Sequence, residues 1–173
     1  MESAGGHRLT SPLRAGVLTA IAALIADQAS KLWLLYIFDI PHRGAVRVTP
    51  FFDLVLAWNP GISFGWLQSE SPAAQILLMA VKAAAVIALA IWMARSRTWL
   101  ATVSLGLIIG GAIGNGIDRL AYGAVVDFAL FHVDIAGKTY SWYVFNLADV
   151  AIVAGVAALL YDSLLGVPAA KAP

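Results

Sequence analysis

Four long apolar runs alternate with two stretches in which polar, aromatic and β-branched residues mix. The runs cover residues 15–38, 74–94, 99–117 and 143–165, each close to the ~20 residues that a helix needs to cross a bilayer. The first opens AGVLTAIAALIADQ behind Arg8 and Arg14, as a secretory leader does. Apolar character resumes at LWLLYIF beyond Lys31, and no small-residue cleavage site divides the two halves. It reads as an uncleaved span. Only RSRT separates the second and third runs, which predicts a tight helical hairpin. Of the two mixed stretches, VRVTPFFDLVLAW (46–58) has strand character, with Pro50 marking an edge or a bend. The second, AVVDFALFHVDIAGKTYSWYVF (124–145), resembles it and carries a turn signal at Ala136-Gly137-Lys138. Together they predict a small sheet on the outer membrane face. The expected architecture is an all-α membrane protein with a small β element. It forms a single integral membrane domain over residues 1–173, with four transmembrane helices, an extracytoplasmic sheet and a lid segment at 61–70.

Composition agrees. Hydrophobic residues make up 61% of the 173 and charged residues 12%, with mean hydropathy +0.82, whereas a soluble domain carries roughly 25% charged residues. Eleven Lys and Arg against ten Asp and Glu leave a net charge of +1, so no bulk field points to nucleic acid. The absence of cysteine excludes disulfides, a thiolate nucleophile and a cysteine metal site. His7, His42 and His132 are far apart, so no H-E-x-x-H zinc site exists, and neither metal nor cofactor is expected. Basic residues flanking the runs give the orientation. Arg8, Arg14, Arg95, Arg97 and Lys171 lie on one side and Arg43, Arg47, Arg119 and Lys138 on the other. The RSR turn and the basic N-terminus place both termini in the cytoplasm, leaving segments 39–73 and 118–142 outside.

Scarce charge makes each polar residue within a run informative, because burying it in lipid is costly. Measured at ~1.5 Å per residue from the outer ends, Lys31 lies about 10 Å deep, Asp27 about 16 Å, Lys82 about 12 Å and Asp149 about 9 Å. Asn115 and Asn146 are shallower, and the inner half of the bundle holds almost nothing comparable. The polar residues therefore converge on the outer third of the membrane. Each also has a plainer explanation. Asp27 and Lys31 are i,i+4 partners that neutralise one another. Lys82 either meets an acid on a neighbouring helix or snorkels to the surface. Gly106, Gly110 and Gly114 have the spacing of a close helix contact. Asn146 and Asp149 match a helix N-cap with an acid at the third position, although WYVF just before them submerges the acid.

Ser63, in PGISFG, would need a His or Lys base on a neighbouring helix to act as a nucleophile, and no run contains a His. What remains is a pair of carboxylates in apolar settings, Asp127 in AVVDFAL and Asp149. Two carboxyls sharing a dry site cannot both ionise readily, so one deprotonates a water while the other polarises a carbonyl. The alternative is a non-enzymatic transporter or proton-relay subunit using Asp27, Lys31, Lys82 and Asp149. A relay needs ionisable residues through the inner half of the bilayer, and it gives no role to a submerged acid in an outer segment.

The blocks D-Q-A-S-K (27–31), N-P-G-I-S-F-G (59–65), G-N-G-I-D-R-L-A-Y-G-A-V-V-D-F (114–128) and F-N-L-A-D (145–149) resemble the signal peptidase II (lipoprotein signal peptidase) family, over roughly residues 20–160. The resemblance implies a bacterial inner-membrane aspartic endopeptidase that cuts N-terminal to the diacylglyceryl cysteine of a prolipoprotein. It implies that Asp127 and Asp149 are the catalytic dyad, with the active site near the extracytoplasmic face. Asp27, Lys31, Asn59, Gly61, Asn115, Arg119 and Asn146 would bind substrate or support the site. The expected partners are the lipid-modified prolipoprotein and membrane phospholipid, with the enzyme acting as a monomer. Family members commonly carry Ala before the Phe of the second block, where this chain has Ile62-Ser63.

Overall fold

The computed structural model describes residues 11–60 and 72–165. Helix α1 (Ser11–Leu32) runs without a break into a π-helical turn at Trp33–Ile37, so the charged Lys31 does not divide it. A short helix α2 (Ile40–Arg43) follows, then strands β1 (Val46–Thr49) and β2 (Phe52–Asn59). Helices α3 (Pro72–Arg95) and α4 (Trp99–Tyr122) form the expected hairpin, with Ser96, Arg97 and Thr98 between them. Strands β3 (Val125–Ile135) and β4 (Lys138–Ser141) lead to α5 (Leu147–Leu165). Among the described residues, three stretches are long and apolar enough to cross a membrane: Pro12–Ile37, Trp99–Tyr122 and Leu147–Leu164. Helix α3 has the same 24 residues as α4.

Two helix ends differ from the hydropathy boundaries. The third run was bounded at 117, where polar residues begin, yet α4 continues to Tyr122. Gly123 ends it in a left-handed conformation (φ 74°), with its N–H on the Arg119 carbonyl at 3.0 Å. Asp118 therefore sits on the helix, buried, rather than in an outer segment. Conversely, α5 begins at Leu147 and not at 143, because the residues before Asn146 pair with β3 instead. The N–H groups of Phe128 and Ala129 donate to the Phe145 carbonyl at 3.0 and 2.8 Å, and the Phe145 N–H returns to Ala129 at 3.0 Å.

Helix α4 is the centre of the bundle because its small residues let two neighbours approach. A Cβ on Gly106 would collide with the Gly16 carbonyl of α1, and one on Gly110 with the Ala20 carbonyl. On another face, Gly111 abuts the Ala148 carbonyl of α5. Leu105 and Ile109 pack with Met93 of α3 in the core between the helices. Gly106→Val is thus expected to destabilise the protein by about 1–3 kcal/mol through overpacking. Gly116, whose Cβ would meet nothing within 4 Å, is the internal control. Gly116→Ala is expected to leave the melting midpoint in detergent unchanged or raise it.

The strands form one four-stranded antiparallel sheet in the order β1-β2-β3-β4. Pro50 lies in the turn between β1 and β2, where it removes no ladder donor. Ala136 and Gly137 (φ 52° and 78°) make the two-residue turn between β3 and β4. The β2–β3 ladder joins the two mixed stretches, and its register shifts between Leu54 and Ala57 so that Ala57 faces Asp127. Buried Leu34, Ile40, Phe128 and Ala129 seat the sheet on the end of the first helix.

Candidate active site

Asp127 lies on β3, 2% exposed, at the end of the sheet nearest the helices. One of its oxygens accepts from Asn59 Nδ2 at 2.9 Å, and the other from Asn146 Nδ2 at 2.6 Å. Burial pushes its carboxyl above the ordinary aspartate range, and the negative charge of Asp149 pushes the same way. The two amide donors and the Lys31 charge oppose the shift without cancelling it.

Asp149 stands in the first turn of α5. Its N–H donates to Asn146 Oδ1 at 3.0 Å, and its Oδ2 accepts from the Asn146 N–H at 3.2 Å. That reciprocal pair is a capping box with Asn and Asp in its two positions. Asn146 is therefore the N-cap of α5 and at the same time a donor to Asp127. The same side chain that starts α5 also holds Asp127. Asn115 completes the frame, its Nδ2 donating to Asp149 Oδ1 at 2.9 Å. Its Oδ1 accepts from Asn146 Nδ2 at 3.1 Å and from Lys31 Nζ at 3.0 Å. With the oxygen so engaged, the Asn115 amide has one orientation left, nitrogen toward Asp149.

Beneath the pair lies a buried triad of charges. Lys31 Nζ contacts Asp27 Oδ2 at 2.8 Å and Asp118 Oδ2 at 2.6 Å, with all three side chains 0–2% exposed. The i,i+4 pairing of Asp27 with Lys31 is present, but it is half of the arrangement. Asp118 turns inward to Lys31 and away from its chain neighbour Arg119, because adjacent helical residues point about 100° apart. Each carboxylate also holds a backbone N–H. Asp27 Oδ1 accepts from Ala148 at 3.0 Å and Asp118 Oδ2 from Val126 at 3.2 Å. Those are the residues immediately before Asp149 and Asp127. Gln28 Nε2 links the two acids, at 3.1 Å to Asp27 and 2.9 Å to Asp118. Gly114 leaves the room that Asp27 occupies.

Of the residues singled out in the sequence, Asp27, Lys31, Asn59, Asn115, Asn146, Asp127 and Asp149 belong to one hydrogen-bonded assembly. Arg119 stands beside it, its Nη1 donating to the Asn115 carbonyl at 3.1 Å. Gly61 and the 61–70 segment lie outside the described residues. Asp118 and Gln28 were missed as site residues. Both stand inside quoted blocks, and the available signal was the three-residue step from Asn115 to Asp118, which puts them on one helix face.

From Lys82 downward, an open groove of ≈560 Å³ runs between α3 and α4. Its walls are apolar apart from Lys82, Asn115 and Arg119.

The sequence model of a family described as Signal peptidase (SPase) II matches residues 19–165. A lipoprotein signal peptidase of Nitrobacter hamburgensis is 77% identical over 163 residues, which cover 94% of this chain and 99% of that one. One from Rhodopseudomonas palustris is 72% identical with the same coverage. Among solved structures, a bacterial membrane enzyme determined by the in meso method superposes with TM-score 0.71 at 25% identity, covering 89% of this chain and 95% of that one. A second, described in the same words, gives TM-score 0.69 at 26% identity, covering 92% and 95%.

Proposed function

The chain belongs to the signal peptidase II family, and from that premise we propose that Asp127 and Asp149 are the carboxyl pair with which it cuts its substrate. The activity is that of an aspartic-type peptidase, removal of the signal peptide from lipoprotein precursors. The observation that carries the dyad is the Asn146 side chain. Its Nδ2 holds Asp127 and its Oδ1 holds the N–H of Asp149, so two acids 22 residues apart share one rigid support.

The chemistry follows from their environment. Because burial and the neighbouring charge raise Asp127, the pair keeps one proton at a pH where an isolated aspartate has lost it. The ionised carboxylate takes a proton from a water as that water attacks the scissile carbonyl, and the protonated carboxyl donates to the carbonyl oxygen. Collapse of the tetrahedral species breaks the C–N bond, and a proton goes to the departing cysteine amine.

The bond cut is the one N-terminal to the diacylglyceryl cysteine. A lipid-anchored cysteine holds its peptide bond at the headgroup level, where the converging polar residues lie. The groove beside Asn115 takes the acyl chains, and exposed Trp58, Trp142 and Tyr143 anchor the interface. The fold is a single membrane domain of four spans, α3 being the fourth, acting as a monomer. Both termini are cytoplasmic and the dyad faces outward. Large apolar side chains left exposed along the helices, among them Leu18, Ile87, Leu120, Val153 and Leu164, support a lipid surround.

The test is the pH profile of cleavage of a lipidated precursor by the purified protein. The rate needs one proton on the pair, so it falls on the acid side as both carboxyls protonate. On the alkaline side it falls as Asp127 loses its retained proton. A rate flat from pH 4 to pH 9 would overturn the shared-proton mechanism.

A further inference from the structure

The α3–α4 groove carries more positive charge than an uncharged diacylglyceryl group calls for. Lys82 and Arg119 stand at its polar end and repel one another across it. Among the described residues Arg119 Nε is buried with no hydrogen-bond partner, and its Nη1 reaches a backbone carbonyl and not an acid. Lys82 has no ion pair or hydrogen bond among the described residues. The acids within electrostatic reach of Arg119 are already engaged. Asp118 is held by Lys31, Asp127 by two amides, and Asp149 by Asn115 and the α5 N-cap. Unsatisfied ammonium and guanidinium donors above an apolar trough fit a ligand with anionic oxygens at one end and hydrocarbon at the other. The surrounding bilayer supplies such a molecule.

We propose that the groove is a binding site for an anionic phospholipid, with its phosphate between Lys82 and Arg119 and its chains along Val86, Ile113, Ile117 and Leu120. Neither the bilayer surface alone nor snorkelling explains the choice, because both cations line the groove together with Asn115, whose side chain donates to Asp149. A zwitterionic headgroup fits less well, since among the described residues no free carboxylate stands nearby to receive its cationic end. The lipid therefore occupies the acyl-chain site between turnovers, and the substrate's chains displace it. This rests on the groove being the acyl-chain site.

The experiment reads lipid retention without substrate, so its outcome is separate from that of any cleavage assay. Wild-type protein, Lys82→Gln and Lys82→Arg are each exchanged into nanodiscs of equal phosphatidylglycerol, phosphatidylcholine and diacylglycerol. They are then released and analysed by native mass spectrometry, with melting midpoints as the folding control. Wild type and Lys82→Arg are expected to retain phosphatidylglycerol about fivefold to tenfold over the other two lipids. Lys82→Gln should lose that preference, and soluble glycerophosphate should not compete. Equal retention of the three lipids by wild type, or an undiminished preference in folded Lys82→Gln, overturns the proposal. Displacement of bound lipid by glycerophosphate alone would overturn it too, because the site would then be a phosphate site and not a lipid site.

Discussion

Asp127→Asn and Asp149→Asn are each expected to lower the single-turnover rate on a lipidated precursor by at least about 10³-fold, near the upper range of a positioned acid or base. In the proposed mechanism the two act on one water and share one proton, so the double variant should be little worse than either single one. Unfolding would not account for the loss. Asp127 is raised above its unfolded value, so the wild-type fold is favoured with that group protonated and loses stability as pH rises through the raised value. An amide cannot ionise, so Asp127→Asn should melt no lower than wild type at neutral pH. Any gain should disappear once the pH falls below the ordinary aspartate range. Melting curves at pH 3 and 7 beside the turnover assay check both halves. Near wild-type turnover in a folded single variant would remove that residue from the dyad.

The second large effect is on the buried triad. Lys31 is 1% exposed and touches both Asp27 and Asp118. In Lys31→Met two carboxylates stay in the interior without their cation, which is expected to cost about 3–5 kcal/mol. The loss should appear as a large drop in melting midpoint and poor yield in detergent. Replacing the whole triad (Asp27→Leu, Lys31→Met, Asp118→Leu) removes the uncompensated charge and should recover part of that stability. It cannot recover function. The N–H groups of Ala148 and Val126 lose their acceptors, at about 1–3 kcal/mol each, and the residues that follow them, Asp149 and Asp127, lose their fixed spacing. A stable but slow triple variant separates the two roles. If the triple variant cleaves at the wild-type rate, the triad does not position the dyad.

How far the sequence went can be followed residue by residue. The boundaries of the long helices followed from hydropathy to within a few residues, and both hairpin turns from Pro50 and Ala136-Gly137, because these are local properties of a short stretch. The convergence of Asp27, Lys31, Asn115, Asn146 and Asp149 on one level followed from counting rise per residue. Depth was legible; direction was not. Nothing local told that Asp118 turns from Arg119 toward Lys31, since that depends on which face of α4 the glycines press against α1. Nor did the sequence show that Asp127 lies on a strand paired with β2, a ladder closed over some 70 residues. Asn146 caps α5 and also meets Asp127, because the backbone pairing of Phe145 with Ala129 brings the α5 N-terminus against β3.

By itself, then, the sequence determined the medium, the elements, the family and the two acids left without a local partner. Hydropathy, turn chemistry and motif spacing are short-range and need no neighbour to be read. The tertiary structure alone decided which donors meet those acids, that Asp118 shares Lys31 with Asp27, and that Lys82 and Arg119 stand beside an apolar groove without an acid partner among the described residues. Those outcomes depend on helix rotation and strand register, which long-range packing sets and no local window of residues encodes.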